Sequence, residues 1–303
     1  SKDYEKFPML DAEWDFISAA LPRLLSGDND RLKSVCRQLT FFFEFTGRWD
    51  EWLWLSEQAE TRALAATDKE DAGWQAYRAG YVYSLRNQPA EVLVCAARAA
   101  EHWQNSTPYH KAWAIQLLGL GHRLNEDYPA AITAFREAVE IRRSISPESD
   151  AVAIALNDLA SVKRINEDYP ASERDYREAL RIAKIIKDDE SIATLTGNLA
   201  TLALDRELWA EAESLAREAL PLSEKVGRLE LIALDCHRIA KALLKQNRAV
   251  DGVGATHALH LQEALSLSRR AVEIFTRLRH PNLQSAQETL AEIEQALRAD
   301  GAP

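Results

Sequence analysis

The hexapeptide Asn-Glu-Asp-Tyr-Pro-Ala occurs at Asn125–Ala130 and returns 41 residues later at Asn166–Ala171. Its surroundings return with it. Arg123-Leu124 precedes one copy and Arg164-Ile165 the other, and Arg136-Glu137-Ala138 and Arg177-Glu178-Ala179 follow. A fixed period of roughly 20 to 50 residues marks a stack of supersecondary units, each too small to bury its own apolar face alone. That constraint precedes any local reading. It also directs attention to surfaces offered to a partner rather than to a self-contained catalytic pocket.

The period extends along most of the chain. Small residues recur at Ala59, Ala99, Ala138, Ala179, Ala219 and Ala271, at intervals of 40, 39, 41, 40 and 52. Nineteen positions before the first five stand Thr40, Gly80, Gly119, Ala160 and Ala200. Two small residues per unit let two helices approach closely. Between them, Trp49, Tyr128, Tyr169 and Trp209 are placed to wedge the start of the second helix. Apolar residues at three- and four-residue steps, as in Ile132, Phe135 and Val139, argue independently for helices. Pro129 and Pro170 fall in a first helical turn, where a missing N–H costs nothing. Pro22 and Pro221 are expected to kink or end their helices.

Composition narrows the function. A net charge of −10 argues against a nucleic-acid surface. No apolar run approaches the roughly 20 residues that span a bilayer. Cys36, Cys95 and Cys236 lie in separate helices without metal-type spacing, as expected of reduced thiols in a cytoplasmic protein. His257 and His260 are one helical step apart, with no third ligand beside them, so no metal is expected. Carboxylates such as Glu126-Asp127 and Glu167-Asp168 recur at turns, where they suit a helix N-terminus rather than general acid–base work. There is no Gly-x-x-x-x-Gly-Lys-Ser/Thr stretch, so this segment is not expected to hydrolyse a nucleotide. No cofactor is expected, nor any enzymatic activity.

The pattern resembles the tetratricopeptide repeat (TPR), most closely from Leu118-Gly119 through Tyr128, Ala131 and Phe135 to Ala138, and again in Leu159-Ala160, Tyr169, Ser172, Tyr176 and Ala179. The resemblance implies an all-α, right-handed superhelix, an α-solenoid of about six helix-turn-helix repeats with capping helices at both ends. The expected organisation is an N-terminal helix at 1–29 and repeats near 30–70, 71–110, 111–150, 151–190, 191–228 and 229–281. The last of these carries a loop insertion at 247–257, and 282–303 forms a capping helix and tail. In a TPR stack the first helix of each pair lines the concave groove. The resemblance therefore implies a protein or peptide ligand at Trp74, Tyr77, Tyr81, Trp113, Gln116, Arg123, Asn157, Arg164, Asn198, His237, Arg238 and Lys241. The groove cations either hold acidic groups of that ligand or pair with Asp158, Asp205 or Asp235 of neighbouring repeats.

The front end carries a second resemblance. Glu13-Trp14-Asp15-Phe16, followed by Leu39-Thr40-Phe41-Phe42-Phe43 and Gly47-Arg48-Trp49, looks like the opening of the TPR region in STAND-class regulators, ATPases with NB-ARC-type switches. It implies the sensor region of a larger protein, with a nucleotide-binding domain upstream as a possible partner. Ser1 in place of Met agrees with a segment of a longer chain. The alternatives are a stand-alone adaptor or oligomerisation module, with Phe41, Phe45, Trp52 and Trp54 as its interface or simply as core, and a TPR region attached to a caspase-like effector.

Overall fold

The computed structural model describes residues 6–249, 255–278 and 280–300. The side chains of Phe45, Arg248, Ala249, Ala255, Thr256, His257 and Asp300 fall outside that description. Every described element is a helix, and the chain divides into two compact units, residues 1–147 and 148–303. The first contains α1 (Phe7–Ala12), α2 (Trp14–Leu25), α3 (Asn29–Thr46), α4 (Trp49–Ala65), α5 (Lys69–Leu85), α6 (Pro89–His102), α7 (Pro108–Leu124) and α8 (Tyr128–Ile145). The second contains α9 (Asp150–Ile165), α10 (Tyr169–Ile186), α11 (Asp189–Asp205), α12 (Trp209–Val226), α13 (Leu229–Ala249), α14 (Ala255–Leu278) and α15 (Leu283–Asp300).

Within each unit, consecutive helices pack on one another, α5 on α6 and α7 on α8, α9 on α10 and α11 on α12. The small residues lie where the helices meet: Ala59, Ala99, Ala138, Ala179 and Ala219 are all completely buried. A methyl group there keeps the helix axes close, and larger neighbours such as Phe135 and Tyr176 fill the space beside it.

The repeated hexapeptide is a helix-to-helix turn. Asn125 closes α7, and Glu126 takes a left-handed φ of 59°. The Asp127 N–H then donates to the His122 carbonyl at 2.9 Å, and the Asp127 side chain caps α8 by accepting from the Ala130 N–H at 3.2 Å. Asn166, Glu167 (φ 62°) and Asp168 repeat the arrangement before α10. The equivalent position before α4 and α13 is filled by Gly47 and Gly227. A side chain at left-handed φ costs about 1–2 kcal/mol that glycine avoids, partly offset by the greater freedom of glycine in the unfolded chain. Glu126→Gly and Glu167→Gly are each expected to raise stability by about 0.5–1 kcal/mol, seen as a higher urea midpoint with unchanged slope.

The chain ends and the prolines refine these expectations. Residues before α3 form two helices, meeting at Glu13, in place of one. Pro22 and Pro221 do not end their helices, because α2 and α12 run through them. Each proline withdraws only one hydrogen bond, and burial of Leu21 in one helix and Ala219 and Ser223 in the other holds the segment. Helix α13 extends into the expected 247–257 insertion as far as Ala249 and α14 begins at Ala255, while 250–254 lie outside the described residues. Helix α15 runs to Asp300 and packs Ala286 and Ile293 against α13 and α14.

Candidate functional site

In the first unit, α5 and α7 bring together Trp74, Tyr77 and Trp113, three of the residues expected to line a groove. Trp74 is the hub of a larger cluster. Its ring centroid lies 5.9 Å from Tyr77, 5.1 Å from Trp103, 6.2 Å from Tyr109, 5.7 Å from His110 and 5.9 Å from Trp113. These are tilted and edge-to-face contacts, each contributing about 0.5–1.5 kcal/mol beyond burial. Trp103 is fully buried beneath the hub and donates from Nε1 to the Glu70 carbonyl at 3.1 Å. Gly73 makes room for it, since a Cβ there would stand 2.2 Å from that nitrogen.

Two further groups stiffen the cluster. The buried Arg142 of α8 lays its guanidinium 4.2 Å from the Trp113 ring centroid and donates to Gln116 Oε1. His110 Nδ1 faces the Ser106 and Thr107 hydroxyls at 2.6 and 3.1 Å. Tyr109 remains 41% exposed, and Trp74, Tyr77 and Trp113 are half-buried, so the cluster presents ring edges and faces to solvent. The sequence reading missed Trp103, Tyr109, His110 and Arg142. Arg142 stands on the second helix of its pair, Trp103 just past the end of α6, and Tyr109 and His110 in the first turn of α7, all away from the register positions searched. Gly73, the residue before Trp74, was the available signal for Trp103.

The other first-unit candidates separate from this cluster. Tyr81 packs at 5.8 Å from Trp52 and donates its hydroxyl to Glu44 at 3.2 Å. Trp52 is 2% exposed and stacks on Phe43, which meets Trp14 of α2 at 5.2 Å. Trp52 is therefore a core residue and is not presented to a partner. Phe41 and Trp54 are exposed, and the Phe45 side chain is outside the described residues. Arg123, at the end of α7, keeps a shielded Nε without a hydrogen-bond partner.

In the second unit the groove register is occupied by a closed polar network. Arg238 of α13 donates to Asp235 Oδ1 at 2.7 Å, Thr201 Oγ1 at 2.8 Å and Asn198 Oδ1 at 3.2 Å. Asn198 donates to Asn157 at 2.8 Å, and the Ser223 hydroxyl donates to the second Asp235 oxygen at 2.7 Å. Gly197 permits this, since a Cβ there would meet Arg238 Nη1 at 2.4 Å. Arg164 pairs with Asp205. Of the two roles open to the groove cations, pairing between repeats thus holds for Arg164, while Arg238 pairs with Asp235 on its own helix. Lys241 is half-buried and forms no ion pair among the described residues.

His237 is 8% exposed, and its Nδ1 has no hydrogen-bond partner. Burial, with Lys241 and Arg238 adding repulsion, pulls it down to about 4. The unfolded chain therefore takes up a proton below about pH 6.5 that the folded chain refuses, and stability falls as pH drops from 6.5 toward 4. Between pH 7 and pH 5 the expected loss is about 2 kcal/mol. His237→Gln should flatten that dependence in urea unfolding followed by far-ultraviolet circular dichroism. Among the described residues no His, Cys, Asp and Glu group is arranged to hold a metal, and no helix is long and apolar enough to cross a membrane.

Residues 151–225 match the tetratricopeptide repeat family. No curated protein sequence matches the chain. Among solved structures, a Rap protein complexed with competence and sporulation factor is similar at a TM-score of 0.63 and 13% identity, over 93% of this chain and 81% of that one. Aspartyl phosphate phosphatase F from Bacillus subtilis gives 0.56 and 12%, over 89% and 73%. BtubC from P. vanneervenii gives 0.50 and 17%, over 87% and 94%. At these identities the likeness is one of fold. With the family match over 151–225 and the helix pairs described above, the chain carries a tetratricopeptide repeat domain.

Proposed function

We propose that this chain is a non-catalytic scaffold that binds a protein or peptide segment, with the face around Trp74 as its docking surface. The observation that carries this reading is a rigid, half-exposed aromatic cluster built on a buried tryptophan and a buried arginine. Aromatic side chains held in place lose little entropy on binding and offer large contact area, which is the make-up of an interface hot spot. The fold likeness to a structure that holds competence and sporulation factor agrees with such a role. Asn157, Asn198 and Arg238 serve in this reading as a rigid polar face whose orientation is preset by their own hydrogen bonds. The test is selection from a phage-displayed random peptide library. Tyr109→Ala with Trp113→Ala is expected to weaken selected peptides at least about tenfold while helicity is kept. Equal affinity in the double variant would sink the assignment.

We further propose that the domain is the sensor or interaction region of a larger STAND-type regulator. The opening segment around Trp14 and Gly47-Arg48-Trp49 supports this. A nucleotide-binding domain encoded upstream in the same reading frame is the expected finding, and a reading frame without one would count against it.

A further inference from the structure

Helix α2 is held to the first unit by one face. Trp14 and Leu21 are 3% and 5% exposed, and Trp14 meets Phe42 and Phe43 at ring-centroid distances of 5.2 Å. Phe7 of α1 adds an edge-to-face contact with Phe42 at 5.9 Å. The Arg48 guanidinium lies 5.3 Å from the Trp14 ring centroid and pairs with Asp11 at 2.9 Å. These contacts fix which residues of α1 and α2 turn outward.

The outward face carries apolar residues as well. Phe16 is 78% exposed, more than any other large apolar side chain among the described residues, and Met9 is 67% exposed. Ala20 is exposed one turn beyond Phe16, with Ala12 and Ala19 exposed beside this line. Met9, Glu13, Phe16, Ala20 and Arg23 follow one another at steps of four, three, four and three residues. That alternation is the a/d spacing of a helix that packs along a second helix. A helix apolar on both sides is one that is covered on both, and an exposed apolar stripe of this kind marks an interaction surface.

Charge indicates what covers it. Glu13 and Arg23 stand toward opposite ends of the stripe, both exposed, and neither forms an ion pair among the described residues. Laid antiparallel on a second copy of itself, about a two-fold axis near Ser18, the stripe sets Glu13 of each copy against Arg23 of the other. The same register sets Phe16 against Ala20, whose methyl group leaves room for the ring. Every contact is then made twice, as a self-complementary two-fold interface requires. A parallel pairing would instead oppose Glu13 to Glu13 and Arg23 to Arg23, so the charges also select the direction.

We propose that the outer face of α1 and α2 is a self-association surface, through which two copies of this chain pair antiparallel along Phe16 and Ala20. The surface shares no residue with the aromatic face around Trp74 and does not depend on that reading. One helix pair lies at the low end of interface size, and a net charge of −10 opposes the approach of two copies. A dimer that dissociates on dilution is therefore expected.

The test is sedimentation equilibrium of the full chain across roughly 1–200 μM, where a monomer–dimer equilibrium is expected. Phe16→Glu should weaken the dimer at least about tenfold with an unchanged far-ultraviolet circular dichroism spectrum, because the ring it removes faces solvent in the single copy. Glu13→Arg and Arg23→Glu should each weaken it about tenfold, since the two-fold axis repeats every change. Mixed together, these two single variants should associate about as tightly as the unaltered chain, because each Glu then meets an Arg. A monomer across the whole range overturns the inference. So does a dimer indifferent to Phe16→Glu, or a mixture of the two charge variants that associates no better than either alone.

Discussion

Arg238→Met is expected to destabilise the second unit by about 3–5 kcal/mol. Asp235 is 1% exposed and Arg238 is 7% exposed. Removing the guanidinium leaves a buried carboxylate with only the Ser223 hydroxyl as donor, and strips Thr201 and Asn198 of theirs. Burial already pushes the Asp235 carboxyl upward, and loss of Arg238 would push it further in the same direction. Pairing Arg238→Met with Asp235→Leu should recover most of the loss, leaving about 1–2 kcal/mol for the unsatisfied amide and hydroxyls. Urea unfolding of the two single variants and the double variant gives the cycle. Additive losses would mean that the two charges do not act as a pair.

Trp103→Ala is expected to cost about 3–5 kcal/mol and to abolish peptide binding at the aromatic face. Trp103 is completely buried and supports both Trp74 and His110, with ring centroids 5.1 and 5.2 Å away. Its removal leaves a cavity under the hub, so the exposed rings lose their fixed orientation before the helices lose their backbone bonds. Near-ultraviolet circular dichroism should fall well before the far-ultraviolet signal changes. Gly73→Ala probes the same site from the other side, since the added carbon would meet the rigid indole at 2.2–2.7 Å. Its cost, about 1–3 kcal/mol, should vanish in the Trp103→Ala background. If it persists, the indole is not what Gly73 accommodates.

The repeat, the helix pairs and the turns were legible in the sequence because each depends on local or periodic chemistry. The Asn-Glu-Asp-Tyr-Pro-Ala segment contains its own helix stop, left-handed residue, cap and helix start, so its structure needs little from the rest of the chain. The register also named Trp74, Tyr77 and Trp113, which α5 and α7 bring near one another. It did not reveal that α1 and α2 fold over α3 and bring Phe7 and Trp14 onto Phe42 and Phe43, the core in which Trp52 is buried. Helical periodicity identifies an apolar face but carries no information about which segment covers it.

Arg238 shows the same limit. Periodicity and composition alone determined that this chain is built of helix pairs and where its turns fall. Whether an inward arginine is satisfied depended on partners 37 and 40 residues away for Arg238, at Thr201 and Asn198. Only the tertiary structure decided that, because a buried charge is governed by the acceptors packed against it, and these come from a neighbouring repeat.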